Sequence, residues 1–205
     1  MEDKKKSVKF KDKDNIVFQP LIAKSRDDDI SLRGGNIISL GGNVAYFKTL
    51  SSKRTLSSRK DESYHFNGKR GGYWHLLNRP ASKIFGTTYD SSGYNTFAPY
   101  KVLSPNHWVF KNLNLKKGDI IGNFGKGASG LELDKIDKFS PKNLVHLATG
   151  TNTYNGKRVH GADMIFYENT NGSKVFSTGS ITSIHNIKKD KTFQTIITNV
   201  FDKFV

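Results

Sequence analysis

The sequence predicts an α/β domain, and three observations predict it. The stretch "DDDISLRGGNIISL", residues 27–40, reads as a short helix, a glycine stop and a buried strand, which is an α-then-β unit. The run "ADMIFYE", Ala162–Glu168, is continuously apolar, as in a strand covered on both faces. Phe193, Ile196, Ile197, Val200, Phe201 and Phe204 recur at the spacing of one helix face, which makes a terminal amphipathic helix.

The elements follow in chain order. Residues 1–14 alternate Lys and Asp with few apolar groups and read as a disordered basic tail. The rest, 15–205, reads as a single domain. Ile16-Val17-Phe18 forms a short strand stopped by Pro20. Acidic residues favour a helix start and Arg33-Gly34 a helix end, so the helix covers Asp27–Arg33 and the strand Ile37–Leu40. Residues 48–80 are polar with three glycines and read as a long loop. "KIFGTTYD", Lys83–Asp90, reads as a strand, and His107–Phe110 as a short apolar segment. A turn is expected at Lys117-Gly118, with a short strand after it. In Ser129–Ile136 the pattern alternates, placing Leu131 and Leu133 on one face and Glu132 and Asp134 on the other. "NLVHLATG" is a strand ended by Gly150. Asn171-Gly172 signals a hairpin, with "KVFSTGSI" as the returning strand. Asp190 or Thr192 caps the last helix.

Composition narrows the chemistry. The 205 residues suit one domain with a core, or one domain and a tail. Only 35% are hydrophobic, so the fourteen Phe and eight Tyr carry much of the burial. The absence of cysteine excludes disulfides, thiolate zinc sites and cysteine nucleophiles. No apolar run is long enough for a membrane span and no secretory signal is read at the N-terminus, so the expectation is a cytoplasmic protein. A net charge of +15 attracts polyanions. The lysines are scattered, however, with the densest basic stretches at Lys4–Lys6 and Ser52–Lys60. A solvated surface is the favoured reading and a nucleic-acid-binding loop the lesser one.

No metalloprotease HExxH, GxSxG elbow or P-loop occurs among these residues. His146 in "LVHLA" reads as a core or strand-face residue. "GNFGKGASG", Gly122–Gly130, carries Lys126 but no Lys-Ser/Thr pair opening a helix, so it reads as glycine turns rather than a phosphate cradle. Tyrosines and carboxylates remain as hard oxygen donors for a Lewis-acidic ion. Spacing does not select which of them meet.

The stretches "GGNIISLGGNVAYFK", "NRPASKIFGTTYDSSGYNTFAPY", "HWVFKNLNLKKGDIIGNFGKGASGLELDKID" and "GADMIFYENTNGSKVFSTGSI", in this order, resemble the C-terminal region of the large subunit of N,N-dimethylformamidase. The resemblance runs from about Gly34 to Phe204. It implies a partial glutamine-amidotransferase-like α/β domain with a β-rich C-terminal part and the terminal helix. It also implies hydrolysis of a small N-substituted formamide, using a mononuclear iron held by two tyrosines and a glutamate. Carried over, Tyr46 in "GGNVAYF" takes one tyrosine position and Glu132 in "GLELD" the glutamate, with Glu62 in "DESYHF" as an alternative. His107, His160 and Asp163 lie in resembling segments; packing and backbone bonding are their simpler roles. A role orienting water or a ligand makes His107 and Asp163 the catalytic candidates.

The resemblance also has a gap. The family's Gly-His-x-Glu-Tyr-Trp-like segment, which supplies the second tyrosine, has no counterpart in residues 1–33. The chain is therefore expected to be truncated at its N-terminal side, acting on a small amide with a companion subunit or by self-association. Two other readings stay open: an inactive relative with a structural or interaction role, and a basic nucleic-acid-binding protein.

Overall fold

The computed structural model describes residues 16–18, 34–45, 49–51, 56–58, 74 and 79–204. Its frame is a seven-stranded mixed sheet. Strands β1 (Ile16–Phe18) and β2 (Asn36–Ser39) open the chain, followed by the small hairpin of β3 (Thr49–Ser51) and β4 (Leu56–Ser58). Two short strands, β5 (Thr88–Tyr89) and β6 (Phe97–Ala98), precede β7 (Tyr100–Val102) and β8 (Ile120–Ile121). Then come β9 (Ser129–Gly130), β10 (Asp134–Lys135), β11 (Val145–Gly150) and the exposed hairpin β12 (Thr153–Tyr154) and β13 (Lys157–Arg158). Last are β14 (Asp163–Glu168) and β15 (Lys174–Ser177). The large sheet runs β1-β2-β15-β14-β11-β7-β8, and the other strands form two-stranded ribbons.

The α/β expectation is overturned. Among the described residues strands predominate and helices are few: Ser82–Phe85, Ser183–Ile187, Lys191–Phe204 and two single 3-10 turns. No amidotransferase-like doubly wound sheet forms among the described residues. The physical reason lies in the connections. Only β1/β2 and β2/β15 pair parallel, whereas β15/β14, β14/β11, β11/β7 and β7/β8 pair antiparallel. Antiparallel neighbours can be joined by turns and need no crossover helix.

Several local expectations meet their outcome here. Asn171-Gly172 makes the β14–β15 turn, with Gly172 at φ 84 and its N–H bonded to Asn169. Five of the six residues of β14 are buried. The last helix buries Phe193, Ile196, Ile197, Val200 and Phe204, and Asp190 Oδ1 accepts the N–H of Thr192 and Phe193. Lys83–Asp90 is not one strand. Ser82–Phe85 coils into a helical turn that Gly86 ends at φ 77, and only Thr88–Tyr89 extends. The 48–80 stretch is not all loop, since β3 and β4 pair within it. The helix expected over Asp27–Arg33 lies outside the described residues.

The sheet has two covered faces. Ile38, Phe176, Met164, Phe166 and Leu147 pack with Tyr100 and Val102 under the C-terminal helix. Ile37, Val175, Ile165 and Tyr167 pack on the other face against Ala81, Ile84, Phe85, Val44 and Ala45. Alternation along β14 divides them: Asp163, Ile165 and Tyr167 point to the second face, Met164 and Phe166 to the first. The Tyr167 hydroxyl donates to the Ile84 carbonyl, tying the short helix to the sheet.

Candidate functional site

One rim of the sheet concentrates polar groups. Strands β2, β15 and β11 end there, while β14 and β7 begin there, because Ser177 pairs with Ser39, Asp163 with Thr149 and Tyr100 with Gly150. The turn Gly41–Ala45, the segment Thr178–Ser180 and the segment Gly130–Asp134 converge on it.

The turn after β2 is tight and strained. Asn43 and Ala45 adopt left-handed backbone at φ 59 and 49, which costs a non-glycine residue roughly 1 kcal/mol or more. Gly42 lies directly on the Glu132 carbonyl; a Cβ there would sit 2.0 Å from that oxygen and 2.7 Å from its carbon. This contact joins the turn to the segment that carries Glu132. Tyr46, the residue after the turn, lies outside the described residues, as does Glu62.

The alternation expected over Ser129–Ile136 does not hold. Leu131 is left-handed at φ 68 and separates β9 from β10. Glu132 is half-buried, while Leu133 and Asp134 are both buried. Asp134, 0% exposed, was expected on the polar face and instead receives the turn. The Asn43 N–H donates to its Oδ1 at 2.5 Å and the Val44 N–H to its Oδ2 at 3.4 Å. Burial pushes this carboxyl up to about 7 against the pull of those two N–H groups, and the Glu132 charge adds to the rise.

The neighbours of this pair are fixed. The Asp134 N–H donates to the Gly179 carbonyl at 2.8 Å, and Leu133 bridges to Ser180. Gly179, at φ 68, has room for no Cβ: it would meet the Asp163 carbonyl at 2.7 Å and that of Asp134 at 2.9 Å. The Tyr100 hydroxyl donates to the Thr178 carbonyl at 2.6 Å. Burial pushes the Tyr100 phenol well above its usual range against the pull of a hydrogen bond with Ser180, with the Asp163 and Asp134 charges adding smaller rises, so it is held as a donor and not as a phenolate.

Of the candidates read from sequence, Glu132 and Asp163 lie at this rim. Asp163 is buried. Its Oδ1 faces His146 Nε2 at 2.9 Å and accepts from the Thr149 hydroxyl at 2.8 Å, and its Oδ2 accepts the Ile136 N–H at 3.0 Å. His107 is not beside it. Its ring lies 5.2 Å from that of Trp108 and 5.1 Å from that of Phe166, and its Nδ1 accepts the Val109 N–H at 3.4 Å. Phe166 is three residues along β14 from Asp163, roughly 10 Å, and on the opposite face. Burial lowers the His107 pKa. His160 is exposed. The glycine-rich stretch forms turns, with Lys126 Nζ 5.1 Å from the Phe97 ring centroid.

The rim also holds two unsatisfied polar atoms. Among the described residues Ser39 Oγ and Asn43 Oδ1, both buried, find no hydrogen-bond partner, an uncommon state for buried oxygens. Asp134 and Glu132 are close enough for one charge to disfavour the other, and a bound cation relieves that repulsion. These hard oxygens match a hard ion better than a soft one. Among the described residues no three His, Asp or Glu side chains gather as a ligand set, so a complete set needs donors from elsewhere. Sequence reasoning singled out Glu132 but missed Asp134, Asn43 and Ser39. The one available signal was the Gly41-Gly42 pair, whose second glycine marks a close backbone approach.

Comparison with known proteins carries the assignment further. Residues 28–194 match the family described as N,N-dimethylformamidase beta subunit-like, C-terminal. A curated relative, the N,N-dimethylformamidase beta subunit of Alcaligenes sp, is 26% identical over 175 residues, covering 69% of this chain and 23% of that protein. The chain thus spans less than a quarter of that relative's length. Because this match covers most of the chain, the chain belongs to the N,N-dimethylformamidase beta subunit-like C-terminal family.

Proposed function

We propose that the chain is the amidohydrolase-type part of a dimethylformamidase-like enzyme, acting on a small linear amide. A companion subunit, or a second copy of the chain, completes the site. In this reading Tyr46 and Glu132 hold a mononuclear iron. The observation that carries it is the seat of Gly42 on the Glu132 carbonyl, which puts the turn leading into Tyr46 against the segment bearing the carboxylate. Such an ion, when bound, polarises an amide carbonyl and lowers the pKa of a bound water.

The chain's own groups then have distinct tasks. Glu132 brings negative charge to a half-buried position. The Asn43 and Ser39 oxygens, which find no partner among the described residues, can accept a hydrogen bond from water. Tyr100 keeps its proton and anchors Thr178. Asp163 supports the rim through the Ile136 N–H, and His146 and Thr149 orient its carboxylate. His107 belongs to the aromatic packing with Trp108 and Phe166 in this account.

Formate release from N,N-dimethylformamide tests the reading, with the iron-loaded chain assayed alone and with the companion subunit. Glu132→Gln is expected to lower kcat/KM roughly 100-fold or more. Unchanged turnover in Glu132→Gln would remove Glu132 from the site.

A further inference from the structure

We propose that Asp134 is a positioning residue of the site: its buried carboxyl clamps the turn Gly41–Ala45 and thereby holds that turn against the Glu132 segment. The part played by Glu132 rests on the functional reading above, whereas the clamp itself is independent of it.

Three observations converge. First, the turn holds two non-glycine residues in left-handed backbone, Asn43 and Ala45. Strained conformations of this kind persist only where the surroundings over-determine them. Second, Asp134 supplies that restraint from one side with both oxygens, receiving the N–H groups of Asn43 and Val44, consecutive residues inside the strained turn. Gly42 is held from the same segment by its contact with Glu132. Third, the clamp has a rigid base. The Asp134 N–H bonds Gly179, and its backbone pairs with Tyr89 in the β5–β10 ribbon.

A fully buried carboxylate is a poor way to add stability alone, since apolar groups of similar volume often serve as well or better. Among the described residues no cationic side chain pairs with Asp134; its acceptor capacity goes to the turn. That allocation suits a residue that fixes geometry. Loss of the clamp therefore frees the turn while leaving the Glu132 side chain in place.

The test reads amide hydrogen exchange by NMR in the metal-free protein and the tyrosinate-to-iron band in the loaded protein. In the wild type, the Asn43 and Val44 amides are expected to exchange at least about tenfold more slowly than that of Gly41, as buried, hydrogen-bonded amides do. In Asp134→Asn both rates rise about 10- to 100-fold, while strand amides such as Ile165 keep their protection. Unchanged rates at Asn43 and Val44 in Asp134→Asn overturn the clamp. Should that variant fail to fold, the wild-type rates decide: exchange at Asn43 and Val44 as fast as at Gly41 overturns it, and protection supports it. In the loaded protein, a weakened or shifted band in Asp134→Asn supports positioning. A wild-type band that Asp134→Asn leaves intact overturns positioning and leaves the iron reading standing. No band in the wild type defeats the iron reading, and exchange alone then judges the clamp.

Discussion

Replacing Gly42 with alanine adds one methyl group at the junction of the turn and the Glu132 segment. The ideal Cβ would lie 2.0 Å from the Glu132 carbonyl oxygen, 2.7 Å from its carbon and 3.3 Å from the Leu133 nitrogen. Ordinary van der Waals contact begins near 3.4 Å, so the two backbones must separate by about 1.4 Å. All three obstructing atoms belong to backbone, and no flexible side chain can swing aside. Overpacking typically costs about 1–3 kcal/mol, and a backbone-on-backbone clash belongs at or above the upper end. Gly41 provides the control. A Cβ there meets nothing within 4 Å, so Gly41→Ala is expected to be neutral or to stabilise by about 0.4–1 kcal/mol through the unfolded chain. Urea titration of the two variants measures the difference, about 3 kcal/mol or more in favour of Gly41→Ala. Iron loading should fall in Gly42→Ala and persist in Gly41→Ala. Equal stability and equal loading would refute the close approach on which the site is built.

Two further outcomes follow from packing and charge. Phe193, fully buried at the start of the C-terminal helix with its ring 6.0 Å from that of Tyr100, should cost about 3–5 kcal/mol as Phe193→Ala, read by denaturant titration. Burial raises the Asp90 pKa, but the bonds from Lys135 and Ser92 outweigh it and hold the carboxyl at about 2, below its ordinary 3.8. A depressed carboxyl stabilises the fold above its unfolded value, and that contribution is lost as pH falls through about 2. Lys135→Met should therefore be less stable than wild type by about 1 kcal/mol above pH 4, with the gap closing toward pH 2. A gap that persists at pH 2 would point to packing by the Lys135 stem.

The legible parts of this chain are those that local rules decide. The Asn171-Gly172 turn, the covered strand Asp163–Glu168 and the terminal helix each follow from a few neighbouring residues. The sheet as a whole was not legible, because register and direction depend on partners far along the chain: β2 pairs with β15, nearly 140 residues later. One α-then-β reading near the N-terminus was extended to a fold that is mostly antiparallel. Lys83–Asp90 failed for a smaller reason, since Gly86 in a left-handed conformation can end a helical turn as readily as it interrupts a strand. At the site, resemblance pointed to Glu132 and Tyr46. Asp134 was hidden because alternation placed it with the solvated face, and the left-handed Leu131 that breaks the alternation has no sequence signature. The Asn43 and Ser39 oxygens are conspicuous only once their lack of partners is visible.

The central claim is that the turn after β2 and the segment bearing Glu132 together form half of an iron site. The most direct measurement is visible spectroscopy of the iron-loaded protein, with its companion subunit present and metal content determined in parallel. The account predicts bound iron with a tyrosinate-to-iron charge-transfer band that disappears in Tyr46→Phe. A protein that retains no iron with the companion present, or a band that survives Tyr46→Phe unchanged, would contradict it.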